Sequence, residues 1–349
     1  MRVRVLAASA AAAAAAVVLA GAPVANAGTG ASVASAASTA ASTAGSTAAS
    51  TVRHINVGGS PLAAVADSRR GAAWIVNGLG LVRISEATQR IAARVNIGGA
   101  AFVALDRPRG VVWTVSSRYN YLAEVSERTN KVIRRCALPV QVAIEGLAVD
   151  PRTATVWATQ GPNLLEFSET SCRLLHTTAL TNFQFKAPFQ VAVDAQRGLV
   201  WVVIQGDRSG ATVDQGRLVA VSESTHRVVR SVLNGIRQAA IAIDQRAGNV
   251  LVASIQTVDV VSESSRRVWQ LSKQLNNGAG IAVDPSAGKI VLTGQPSTVG
   301  YIFVLSERTG KLLRTMTAFL VPQHPAIDTT TGNVYVPISF RGSVTEFQI

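Results

Sequence analysis

Ala192-Val193-Asp194-Ala195-Gln196-Arg197-Gly198-Leu199-Val200-Trp201-Val202 decides the fold, because the chain repeats its pattern seven times. Small and large apolar residues alternate into an aspartate, a short turn follows, and a second apolar stretch carries an aromatic. The aspartates are Asp67, Asp106, Asp150, Asp194, Asp244, Asp284 and Asp328, spaced by 39, 44, 44, 50, 40 and 44 residues. Seven residues after each stands Trp74, Trp113, Trp157, Trp201, Leu251, Val291 or Tyr335. Four of the five tryptophans therefore share one repeat position, which composition alone would not produce.

A second phrase closes most units: Ile84-Ser85-Glu86, Val125-Ser126-Glu127, Phe167-Ser168-Glu169, Val221-Ser222-Glu223, Val261-Ser262-Glu263 and Leu305-Ser306-Glu307. A polar turn and another apolar stretch follow each, so every unit holds four short strands with no helical periodicity. Four strands in 40–45 residues are the signature of a propeller blade. The sequence thus predicts an all-β, seven-bladed β-propeller over residues 52–349. Its last unit supplies only three strands, ending at Val344–Ile349, and Val52–Val57 has the look of a fourth strand without a hairpin partner. Pairing the two would close the ring and remove two exposed sheet edges.

The repeat resembles the YVTN β-propeller family over about 298 residues, on phrases such as Ile327-Asp328-Thr329-Thr330-Thr331-Gly332-Asn333-Val334-Tyr335-Val336. Ser-Glu stands where that family has an aspartate in the closing phrase. The resemblance implies a seven-bladed propeller, often exported, in a family whose members differ widely in function.

The chain has 349 residues, 48% hydrophobic and 15% charged, so it can bury a sizeable core. Residues 1–27 read as a secretory signal peptide: Arg2 and Arg4, an apolar Val5–Leu19 stretch, then Ala25-Asn26-Ala27. Residues 28–51, almost wholly Ala, Ser, Thr and Gly, read as a flexible linker. Past residue 25 no apolar run approaches the roughly 18 residues of a membrane span, so the mature chain is expected to be secreted and without one. The formal charge is +13, and losing Arg2 and Arg4 with the signal peptide leaves +11.

No phosphate-binding loop, nucleophile elbow, His-Glu-x-x-His or Cys-x-x-Cys is present, and nothing asks for a cofactor. Two cysteines and four histidines offer little for a multi-Cys/His metal site. The periodic aspartates read as turn formers that accept backbone N–H groups two residues on. No residue is assigned as catalytic.

Binding is expected in the loops at one end of the axial channel, between second and third strands and between successive blades. From ten residues past each Asp to the Ser-Glu glutamate, the gaps are 9, 11, 9, 19, 9 and 13. Blade four is the outlier, and its polar insertion offers Asp207, Arg208 and Asp214. At the entrance to the inner strands, Glu145, Gln190, Gln323 and His324 depart from the Ala, Gly or apolar rule. Cys136 and Cys172 fall on the outer strand of blade two and a turn of blade three, at different heights, so a bridge is not expected. The basic residues are spread over many turns as a positive rim. The expectation is therefore a monomeric, non-catalytic binding or interaction protein for an extracellular ligand or partner. A lyase- or lactonase-type enzyme using Glu145 and His324, and a weak binder of anionic polymers, are the alternatives.

Overall fold

The computed structural model describes residues 51–349 apart from 117, 140–141, 181–187, 206–215, 234–237, 255–256, 266, 273–277, 295–298 and 319–320. Twenty-eight strands form seven four-stranded antiparallel sheets. In blade one the strands are Ala63–Asp67, Ala72–Val76, Gly80–Ser85 and Arg90–Asn96, paired in that order from the axis outward. One 3-10 turn, Ser339–Arg341, is the only helical element among the described residues. Blade seven takes its first three strands from Ala326–Ile327, Asn333–Ile338 and Ser343–Gln348 and its outermost from Arg53–Asn56, with Arg53 opposite Glu346 and Asn56 opposite Ser343. The expected closure is present.

Each aspartate makes its turn as its chemistry dictates. Asp67 Oδ1 accepts the Arg69 N–H at 3.0 Å, and the same bond recurs in five further blades, as at Asp150 with Arg152 and Asp328 with Thr330. In blade two Pro108 has no N–H to give, and Asp106 Oδ1 accepts from Arg109 N instead. In five of the six Ser-Glu phrases the Ser starts the third turn by accepting the N–H three residues on, Ser126 Oγ from Thr129 N and Ser222 Oγ from Thr225 N among them. That turn needs one residue in the left-handed region, filled by Gln89, Asn130, Cys172, His226 and Gly310 in five blades. Only the glycine occupies it without steric penalty.

The apolar core divides into seven clusters, one in each seam between blades. Trp74, Trp113, Trp157, Trp201 and Tyr335 are the largest fully buried side chains, each reaching from its own blade into the next. The indole N–H would be orphaned there; in three of the four tryptophans the next blade's Ser-Glu glutamate accepts it, while Trp157 donates to Thr155 Oγ1 of its own strand at 3.1 Å. Trp74 donates to Glu127 at 2.9 Å, Trp113 to Glu169 at 2.7 Å and Trp201 to Glu263 at 2.6 Å. Tyr335 donates to Glu86 across the closure. Arg70, Arg109, Arg152 and Arg197 complete these knots, ion-pairing with their own blade's aspartate and the next blade's glutamate. Four arginines of the expected positive rim are thus bound within seams.

Burial beside an aspartate raises the pKa of these glutamates. Desolvation, then the nearby Asp328, raises Glu86 to about 7, and desolvation with Asp150 raises Glu223 to about 8. Glu127, Glu169, Glu263 and Glu307 are raised in the same direction, desolvation leading.

Cys136 and Cys172 are bridged, with Cα atoms 5.1 Å apart, which corrects the expectation from their heights in the repeat. Equal height along the repeat means contact only where blades are flat. Twist accumulates by about 20–25° per strand, so the outer strand Lys131–Ala137 crosses beneath the third turn of blade three. Arg134 marks the same crossing, donating to the carbonyls of Glu169 and Thr170. Reduction, or Cys136→Ser with Cys172→Ser, is expected to destabilise by about 3–4 kcal/mol for a loop of this length. Calorimetry should show the melting temperature falling by roughly 6–8 °C. An unchanged melt would mean the bridge constrains nothing.

Candidate binding site

The inner strands wall the axis, and several carry a bulge at their first residues. In blade three Ile144 pairs with Gln160 and Gly146 with Thr159, which leaves Glu145 as the extra residue. Gln190 occupies the corresponding irregularity in blade four, between Pro188 and Val191. Neighbouring inner strands pass so closely that a Cβ on Gly146 would lie 2.5 Å from the Phe189 carbonyl oxygen, and one on Gly280 2.7 Å from the His324 Cα. Thr159 and Thr293 hold that spacing, donating to the carbonyls of Phe189 and Gln323 in the following blade.

Glu145 and Gln190 therefore sit on adjacent inner strands. Gln323 and His324 sit in blade seven, where His324 exchanges backbone bonds with Leu62 and Ala64 of blade one. Desolvation raises the Glu145 carboxyl and lowers the His324 imidazole to about 4, so the histidine is neutral at physiological pH. His324 retains partial exposure, so its desolvation comes from protein crowding around the channel rather than from a sealed site. Gln190 Nε2 is buried without a hydrogen-bond partner. Among the described residues no hydrogen bond or ion pair joins Glu145 to His324. Asp207, Arg208 and Asp214 lie outside the described residues.

A cleft of about 470 Å³ opens on this loop face between blades two and three. One wall is the hairpin between Val111–Ser116 and Tyr121–Ser126, carrying Arg118, Tyr119 and Asn120. The other is Leu138 with Val142–Ile144, directly before Glu145. Tyr119 is 58% exposed, yet its base is fixed. Its N–H donates to Ser116 Oγ at 3.2 Å, and Ser116 itself donates to the Gly98 carbonyl. Gly98 has φ +78°, and a Cβ there would meet the Tyr119 ring at 2.5 Å, so the ring's seat requires glycine. Tyr121 lies parallel to Tyr119 at 6.3 Å, and the Arg118 guanidinium stands 5.3 Å from the Tyr119 centroid. Gln160 holds the opposite wall, donating to the Val142 carbonyl at 2.8 Å. The signal in the sequence was slight: the loop gap of 11 in blade two exceeds the 9 of blades one, three and five.

At the other end, among the aspartate turns, the axis widens into a cavity of about 530 Å³. Val65, Leu105, Val149 and Val193 make it apolar, while Arg69 and Arg107 stand at its rim. Arg107 is held there by its bond to the Ala66 carbonyl at 2.9 Å.

Four strands per blade, closure by the N-terminal strand and a walled axis define the chain as a seven-bladed β-propeller. Many solved structures are similar to it, two of them as follows. Hydrazine synthase of Kuenenia stuttgartiensis superposes with a TM-score of 0.71 at 10% identity, over 83% of this chain and 96% of that one. The β-propeller domain of Cps50 (Swd1) from Myceliophteria thermophila gives 0.70 at 10% identity, over 86% and 99%. Both likenesses concern the fold alone. No protein-family model matches the chain, and no curated protein matches it.

Proposed function

We propose that the chain is an exported, non-catalytic propeller of the YVTN type that binds an acidic polysaccharide in the cleft between blades two and three. The observation that carries this reading is the exposed but rigidly seated Tyr119, with Arg118 beside it. An aromatic face suits the C–H face of a sugar ring, and a guanidinium suits its carboxylate. The +11 charge left after Arg2 and Arg4 are removed supplies the long-range attraction. The signal-like segment ending at Ala27 supports export, as does the Cys136–Cys172 bridge, since such bonds persist in oxidising compartments.

The secreted protein should begin at Gly28 and bind polygalacturonate but not neutral dextran. Affinity should fall as salt rises from about 50 to 200 mM. Tyr119→Ala and Arg118→Ala should each weaken binding by about tenfold or more without shifting the melt. Arg69→Ala, at the axial cavity, should leave binding unchanged. Equal affinity in the Tyr119 variant, or loss only in the Arg69 variant, would move the site to the axis. Turnover abolished by His324→Ala would establish the enzyme reading instead.

A further inference from the structure

Cys136 and Cys172 occupy a seam position that every repeat possesses, and the next seam fills it differently. Register fixes the correspondence. Arg134 lies opposite Glu124 in blade two, and His176 lies opposite Glu166 in blade three. Two residues further, Cys136 corresponds to Thr178, and the left-handed turn residue of the following blade is Cys172 in one case and His226 in the other. Thr178 Oγ1 donates to the His226 carbonyl, so the turn of blade four rests on blade three as the bridged turn rests on blade two.

This arrangement brings together three ligating side chains that are scattered in the sequence. His226 Nε2 lies 2.8 Å from Glu166 Oε2, and the His176 and His226 rings stack with centroids 3.6 Å apart. One ligand atom from each of the three falls within 4.8 Å of the others. Glu166 is buried, His226 half-buried and His176 exposed, so the cluster is anchored inside and open outside. No hydrogen bond engages the His176 ring nitrogens among the described residues. His226 adopts φ +55°, a strained position for a side chain that glycine fills at Gly310.

We propose that Glu166, His176 and His226 form a Zn²⁺ site that clips blade four to blade three. Two imidazoles and one carboxylate are a known zinc donor set, with bonds of about 2.0–2.2 Å and a fourth position left to water. Tetrahedral geometry at those lengths places donors about 3.3 Å apart, so the 2.8 Å His226–Glu166 contact opens by about 0.5 Å on loading. The exposed His176 ring turns out of its stack to point a nitrogen at the ion. Counting histidines in the sequence argued against a metal site, because the count ignores that folding draws two of the four to one seam.

The test uses the untagged mature chain, stripped with EDTA and titrated with ZnCl₂ by calorimetry. One Zn²⁺ should bind per chain with a Kd of about 10 μM or tighter, and Co²⁺ should give the visible bands of a tetrahedral site. His176→Ala should weaken binding by about 100-fold and abolish those bands, with the apo melting temperature unchanged. It is the deciding variant, since His226→Ala also disturbs the inter-blade turn. No uptake by the wild type at 100 μM Zn²⁺, or undiminished uptake by the His176 variant, would overturn the assignment.

Discussion

Deleting Val52–Val57 is expected to lower the melting temperature by roughly 15 °C or more, or to leave the chain unable to fold. The segment is the outer strand of blade seven, so its loss bares the edge of Ser343–Gln348. It also removes Val57, fully buried in the seam between blades seven and one. The Val57 carbonyl accepts from Arg94 at 2.6 Å and from Asn77 at 3.1 Å; Arg94 would lose this acceptor, and Asn77 would keep only the Gly58 carbonyl. Lost burial and lost bonds together amount to about 6–8 kcal/mol. Removing residues 28–51 alone is the matched control and should leave calorimetry unchanged. If the two deletions melt alike, the ring does not depend on this strand.

Raising the pH from about 6 to 8.5 is expected to destabilise the protein by on the order of 5 kcal/mol, lowering the melt by roughly 10 °C. The six seam glutamates have folded pKa values raised above the ordinary 4.5, Glu86 to about 7 and Glu223 to about 8. A raised value means that the folded state binds protons the unfolded state releases. That stability is complete below the unfolded value and disappears as pH climbs through 7 to 8. His324 works the other way, its lowered value withdrawing stability as pH falls from 6.5 toward 4, as do Asp194 and Asp328 at still lower pH. The optimum therefore lies on the acid side of neutrality. Glu223→Gln keeps an acceptor for Arg152, which now bonds Glu223 Oε2 at 2.6 Å, and should flatten the slope. A melt rising between pH 6 and 8.5 would sink this account of the seam glutamates.

The fold was legible because a repeat multiplies weak evidence. One Ala-Val-Asp before a Gly-x-Val-Trp proves little, whereas seven in near-constant spacing leave no other architecture. The aspartate turns and the closing strand were legible for the same reason, being local or terminal. What escaped the sequence acts between blades. Trp113 and Glu169 are 56 residues apart, and His226 and Glu166 are 60 apart. Neither pair shares a motif, and only the stacking of blades brings them together. The disulfide escaped because position along a strand does not reveal how far twist has carried it. The cleft at Tyr119 left only two extra loop residues as its trace.

The closing strand also sets an order in time. Arg53–Asn56 is made early, and its partner Ser343–Gln348 nearly 300 residues later. Until the late strand exists, each growing ring is an open crescent with an unpaired edge at either end, and the early strand must wait unsheathed. Such intermediates can pair with one another as readily as with themselves. The six seams before closure, each with its own apolar cluster, keep that crescent compact while it waits. Completion is then a single late event, and a chain cut short in its last blade forfeits the seam that joins blade seven to blade one.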